Sequence, residues 1–148
     1  MSSLVVLGSN GFLGKALLCN NNLIEPIKAI VRTIPITVDV GKNKVTWIEA
    51  DLMAPSSLIG ILSEGDVVIN LAYIPDSDKD KNISLINNII EACIHSKVSR
   101  LIHCSTAVVV GHIATSRVNE LSPCNPLTVY EKTKLALEQC VLNASSRG

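Results

Sequence analysis

Tyr130 and Lys134 stand four residues apart in the stretch Thr128 to Ala144, whose pattern predicts the last helix of the chain. At that separation two side chains share a helix face and lie side by side, which suits acid/base chemistry. A free tyrosine titrates near 10. Bringing it toward 7 takes about 4 kcal/mol of preference for the phenolate, which an ammonium in a partly dry cleft supplies. Lys134 would also hold a ribose hydroxyl. Thr106 follows Arg100-Leu101-Ile102-His103-Cys104-Ser105, a predicted strand. At the carboxyl end of a parallel strand its hydroxyl would orient a carbonyl or alcohol beside Tyr130, with Ser105 as its rival. A tyrosine and a lysine at helical spacing are ordinary surface residues when nothing else accompanies them, so their meaning depends on what stands upstream.

Upstream stands Gly8-Ser9-Asn10-Gly11-Phe12-Leu13-Gly14, directly after Leu4-Val5-Val6-Leu7. A short branched apolar run reads as a buried parallel strand, and a helix opened by glycines presents free N–H groups to an anion. The expected unit is strand, tight turn, helix, with Gly8 making the turn, Gly11 admitting a pyrophosphate and Gly14 letting the helix lie close to the strand. Asn10, Phe12 and Leu13 belong to the same cofactor-binding turn, and the implied ligand is a dinucleotide. The second run, Ile27 to Val31, ends at Arg32, where such a unit meets the adenosine ribose. An arginine cannot accept a hydrogen bond from a free 2'-hydroxyl but pairs with a 2'-phosphate, which points to NADP over NAD; the alternative is a solvated strand-end arginine. Asp51, beside Leu52, follows a third strand, Val45 to Ala50, and would accept from the adenine amino group or cap a short helix near Pro55 to Leu62. A fourth strand begins at Asp66 and runs into Leu71, Ala72 and Tyr73, whose small members let the chain pass close to a cofactor.

These residues need a frame to hold them together. The chain has 148 residues, 47% of them hydrophobic and only 3% aromatic, so the core is built from Val, Ile, Leu and Ala, as two-sided parallel sheets are. The predicted fold is an α/β doubly wound parallel sheet of about five strands in the order 3-2-1-4-5, with the cofactor across the ends of strands one and four. Phe12 to about Asn20 makes the first crossover helix, stopped by Asn20-Asn21-Asn22; Thr33 to Lys44 is an irregular connection; Asp76 to Lys81 is a polar loop. From Lys81 to Ser96 the apolar residues fall on two faces, Ile83, Ile86, Ile90 and Ile94 on one, and Leu85, Ile89 and Ala92 on another. One face suits the sheet and the other calls for a partner, which predicts a homodimer.

Thirteen basic residues balance thirteen acidic ones, and no basic stripe is interleaved with aromatics, so neither nucleic acid nor an anionic membrane is an implied partner. The five cysteines are scattered without metal-ligand spacing, which implies reduced thiols and no metal. The first apolar run has no basic segment before it and is broken by Gly8, which predicts neither a signal peptide nor a membrane span, hence a cytoplasmic protein.

Together the residues resemble the N-terminal, cofactor-binding part of an extended short-chain dehydrogenase/reductase, in the NAD-dependent epimerase/dehydratase group. The resemblance rests on Gly8, Gly11 and Gly14; Asp51-Leu52; Asn70-Leu71-Ala72; Asn82 with Glu91-Ala92-Cys93; Cys104-Ser105-Thr106 with Gly111; Pro123 and Pro126; and Tyr130 with Lys134. It implies Tyr130 as catalytic acid/base, Lys134 as its pKa-lowering, ribose-binding partner, Thr106 as the substrate-orienting hydroxyl and Asn82 as a structural asparagine near the lysine and the cofactor. The implied reaction is hydride transfer on a sugar nucleotide, with an NADP-dependent carbonyl or alcohol reductase, or a non-catalytic cofactor-binding sensor, as alternatives. Two departures are Leu85-Ile86 in place of Gly-Thr, and Val110 in place of an aromatic before Gly111. The whole of residues 1–148 is expected to be one dinucleotide-binding domain, weakly active or inactive by itself, since the resembling family continues past this point into a sixth strand and a substrate domain.

Overall fold

Five short apolar runs form the strands β1 (Leu4–Leu7), β2 (Ile27–Val31), β3 (Val45–Glu49), β4 (Val67–Asn70) and β5 (Arg100–His103). They pair in parallel in the order β3-β2-β1-β4-β5, as expected. The computed structural model describes the chain except for residues 1, 20–25, 37–39, 41–43, 76–77, 113–116 and 148. The predicted stop at residues 20–22, and parts of the connections over 33–44 and 76–81, lie outside the described residues. Helices α1 (Phe12–Cys19), α2 (Lys79–His95) and α3 (Val129–Ala144) and a 3-10 turn, Ala107–Val110, complete the fold.

Side chains alternate across the sheet, and each face has its own core. Val5, Leu7, Ile30 and Val68 pack with α2 and Leu137 of α3 on one face. Val6, Ile27 and Ala29 pack with Leu18 of α1 on the other, where Trp47 is partly buried. The register sets Leu7 beside Ile30 and Asn70, and Asn70 beside His103, so four strands end level at one edge. At the opposite edge the wholly buried Asp66 accepts from Ser3 N at 2.8 Å, Ser63 N at 3.0 Å and Lys28 Nζ at 3.0 Å. A buried carboxylate survives only when its oxygens are occupied in this way.

Two expectations are corrected. No helix forms between Pro55 and Leu62: Ala54, Ser57, Ile59 and Ile61 each donate to the carbonyl three residues back, a chain of turns. Gly60 sits at φ +85°, where a helix cannot continue. The second side of α2 is covered within the chain. Leu85, Ile89, Ile90 and Cys93 share one core with Leu137, Cys140, Val141 and Ala144 of α3, so the two-sided pattern does not by itself call for a second copy. The helix also starts at Lys79 instead of Lys81, because the Asp78 side chain accepts from Lys81 N and caps it.

Polar groups join β4 to β5 at the level edge. Asn70 Oδ1 accepts from Ala72 N, leaving Asn70 Nδ2 to donate to His103 Nδ1 at 3.0 Å. The imidazole therefore carries its proton on Nε2, which is buried without a partner. Burial, helped by the charge of Lys134, pushes the His103 pKa from 6.5 down to about 4. The folded chain thus resists a proton that the unfolded chain accepts, so this stabilisation is full above about pH 6.5 and is lost as pH falls through 4. Urea unfolding at pH 7 and pH 4.5 should show a loss of about 1 to 2 kcal/mol from this ring, partial exposure being discounted. His103→Asn should remove that share of the slope; an unchanged slope would show that the ring is not held neutral.

Candidate active site

The glycine turn is shaped by contact with the β4 loop. Gly8 sits at φ +80°, and a Cβ there would meet Ala72 N at 2.9 Å. A Cβ on Gly14 would meet the carbonyl oxygens of Gly8 and Ser9 at 2.5 and 2.6 Å, so α1 comes this close to β1 only through glycine. Ser9, which sequence reasoning passed over, is buried and donates from Oγ to Val6 O at 2.6 Å, fixing the turn from inside. Asn10 and Gly11 remain exposed, as do the side chains of Phe12 and Leu13 on the first turn of α1, where helical N–H groups lack intrahelical acceptors. That combination fits a diphosphate: a tight exposed turn, glycines that cannot be enlarged, and backbone donors at a helix start.

A cleft of about 560 Å³ opens at this edge, lined by Gly8, Asn10, Gly11, Arg32, Asp51 and Leu52 on one side and by Leu71, Ala72 and Tyr73 on the other. The structure thus brings most of the expected cofactor residues to one place. Arg32 is exposed just past β2, within the cleft. Asp51 both lines the cleft and accepts from Met53 N at 3.0 Å, so one oxygen caps the following turns. Asn82 is wholly buried: its Nδ2 donates to Ile74 O and its Oδ1 accepts from Ile74 N, both at 3.0 Å. It clamps the loop that carries Ala72 and Tyr73 onto α2.

Tyr130, Lys134 and Thr106 do not line this cleft; Tyr130 and Lys134 stand against the Tyr73 ring. A capping box between Thr128 and Glu131 starts α3, which puts Tyr130 in its first turn and Lys134 one turn deeper. Lys134 is nearly buried and donates from Nζ to Cys104 O at 2.8 Å. Its ammonium also sits 5.4 Å from the centre of the Tyr73 ring. Burial lowers the Lys134 pKa, and Cys104 and Glu138 oppose that shift. Thr106 precedes the 3-10 turn, and its side chain makes no cap bond; that turn packs against α3.

Glu138 is a residue that sequence reasoning missed. It accepts a hydrogen bond from Ser105 Oγ, so the rival hydroxyl is committed to α3. Lys134 and Glu138 together hold the Cys104–Ser105 segment to the helix by two bonds. The signal was in the spacing, because Tyr130, Lys134 and Glu138 follow one another at four-residue steps on one face. Tyr73, expected at the cofactor and lining the cleft, has a second contact that sequence reasoning missed: its side chain packs edge-on against Tyr130 with ring centres 5.4 Å apart.

Comparison with known proteins bears on the family and the fold. The chain is 27% identical over 154 residues to a 2-alkyl-3-oxoalkanoate reductase of Shewanella oneidensis, spanning 98% of this chain and 40% of that protein. A UDP-glucuronic acid 4-epimerase from Bacillus cereus, solved in complex with NAD, superposes with a TM-score of 0.74 at 26% identity, over 97% of this chain and 51% of that one. The UDP-Glc/GlcNAc 4-epimerase of Campylobacter jejuni superposes with a TM-score of 0.79 at 21% identity, over 100% of this chain and 50% of that one. The chain therefore spans about half the length of these solved structures and less of the curated relative. The NAD dependent epimerase/dehydratase family model matches residues 4–148, nearly the whole chain, and the chain belongs to that family.

Proposed function

We propose that residues 1–148 are the dinucleotide-binding domain of an NAD(P)-dependent oxidoreductase in which Tyr130 exchanges a proton with the substrate oxygen. One juxtaposition carries the reading: the glycine-turned cleft runs along the level strand ends to Tyr73, and Tyr130 and Lys134 stand against the ring of that residue. The turn at Asn10 to Leu13 would face the diphosphate, Arg32 the adenosine ribose and Asp51 the adenine. The nicotinamide would supply a site that accepts and returns hydride. As a carbinol is oxidised its hydroxyl proton must leave, and Tyr130, nearly half exposed at 44%, would take it. Lys134 would hold a ribose hydroxyl of the cofactor one helical turn from Tyr130, and the Thr106 hydroxyl would hold the substrate oxygen in line. In the reverse direction Tyr130 returns the proton.

The substrate favoured is a sugar nucleotide, in keeping with the epimerases that share the fold. A second reading, an NADP-dependent carbonyl reductase, is favoured by Arg32 and by the relative named as a 3-oxoalkanoate reductase. A non-catalytic sensor would need the cleft but not the Tyr130–Lys134 pair. We place the protein in the cytoplasm as a homodimer; in support, no helix among the described residues is long and apolar enough to cross a membrane, and Leu142 leaves an apolar side chain on the outer face of α3.

Titration by quenching of Trp47 should find NADP bound more tightly than NAD, with Arg32→Ala reducing NADP affinity about tenfold, or 1.4 kcal/mol, and NAD affinity little. Equal affinities in the unsubstituted protein would remove the assignment of Arg32. Assays with UDP-sugars and with 3-oxo acids separate the two substrate readings. In whichever assay turns over, Tyr130→Phe should lower kcat by at least about a hundredfold and leave cofactor affinity within a few fold. A phenylalanine variant that keeps its rate would make Tyr130 a packing residue.

A further inference from the structure

Tyr73 faces two ways. It lines the cleft on the β4 side, yet its ring also meets the Tyr130 ring edge-on at 5.4 Å and 84° and lies 5.4 Å below the Lys134 ammonium. Lys134, by contrast, is only 6% exposed and does not line the cleft. A ribose hydroxyl seated against Lys134, as the function proposed above requires, has to occupy ground next to that ammonium where the aromatic face now stands. The adenine and diphosphate ends meet no such obstacle, because Arg32, Asp51 and the glycine turn already open onto the cleft.

From this we infer that Tyr73 is a gating residue, whose ring closes the inner end of the cleft over Lys134 and must turn aside before the nicotinamide end of the cofactor is seated. The backbone beside it is well suited to a ring that moves while its anchor stays. Asn82 holds Ile74 by two hydrogen bonds and Asn70 holds Ala72 by one, so the chain on either side of Tyr73 is fixed and the change is confined to the side chain. Among the contacts that hold the ring in place are an edge-to-face aromatic pair and a cation over a ring, each individually weak. An opened ring surrenders them, and apparent affinity for any ligand that needs the open form falls by the fraction of molecules that are open.

The gate acts on one half of the ligand, which provides its test. ADP reaches only the open half of the cleft, whereas NAD and NADP reach both. Calorimetric titration of Tyr73→Ala should show NAD and NADP bound about five- to tenfold more tightly than by the unsubstituted protein, with ADP within twofold. Tyr73→Leu, which keeps apolar bulk for folding but has no ring face to offer Lys134, should show the same gain, while Tyr73→Phe should stay on the unsubstituted side of the gap. Intact ADP binding together with unchanged or weakened NAD affinity in both ring-less variants would overturn the gate, because the ring would then be a passive wall or a platform for the nicotinamide. Failure of the unsubstituted protein to bind ADP would be a different result: it would overturn the dinucleotide reading, and the gate with it.

Discussion

A buried ammonium organises the inner half of the site. Lys134 is nearly out of contact with water, and a cation in that position needs compensating partners. It finds a carbonyl at Cys104, an aromatic face at Tyr73 and a carboxylate one helical turn on at Glu138. Each partner belongs to a separate part of the fold: the end of β5, the loop after β4 and α3 itself. Satisfying one charge therefore brings three segments into register, and it also helps keep His103 neutral at the end of β5.

The outer half follows from a steric constraint. β1 and β4 are neighbours in the sheet although about sixty residues separate them in sequence, and the turn after one has to pass the loop after the other. Gly8 against Ala72 is that passage. Because β1 leads to α1 on one face, and α2 after β4 packs on the other, the chain parts at this point, and a cleft opens where it parts. The cleft is thus a consequence of strand order, and the polar groups around it are the residues that happen to follow the strand ends.

How legible this was varies with how local the cause is. The strands could be read because each is a run of branched apolar residues, and α3 because its pattern and the Tyr130–Lys134 spacing are helical. The supposed helix near Pro55 to Leu62 was misread because its apolar residues suggested a turn of helix while Gly60, at positive φ, prevented one. The second apolar side of α2 was visible, but its neighbour was not: periodicity shows how many faces are buried and does not say against what. Glu138 was readable as one more step along the stripe, yet its partner Ser105 lies on another element.

By itself the sequence determined the five strands, the glycine turn, the level of Arg32 and Asp51 at strand ends, and the pairing of Tyr130 with Lys134, since all of these depend on residue type and on spacing within one element. Only the tertiary structure decided that α3 covers α2, that Ser105 is committed to Glu138, that His103 holds its proton on a buried nitrogen, and that the Tyr73 ring meets Tyr130 and Lys134. Each of those depends on side chains that meet across a sheet or between helices, about 30 to 60 residues apart in the chain. A linear pattern carries no information about such distances until strand order and register have set them.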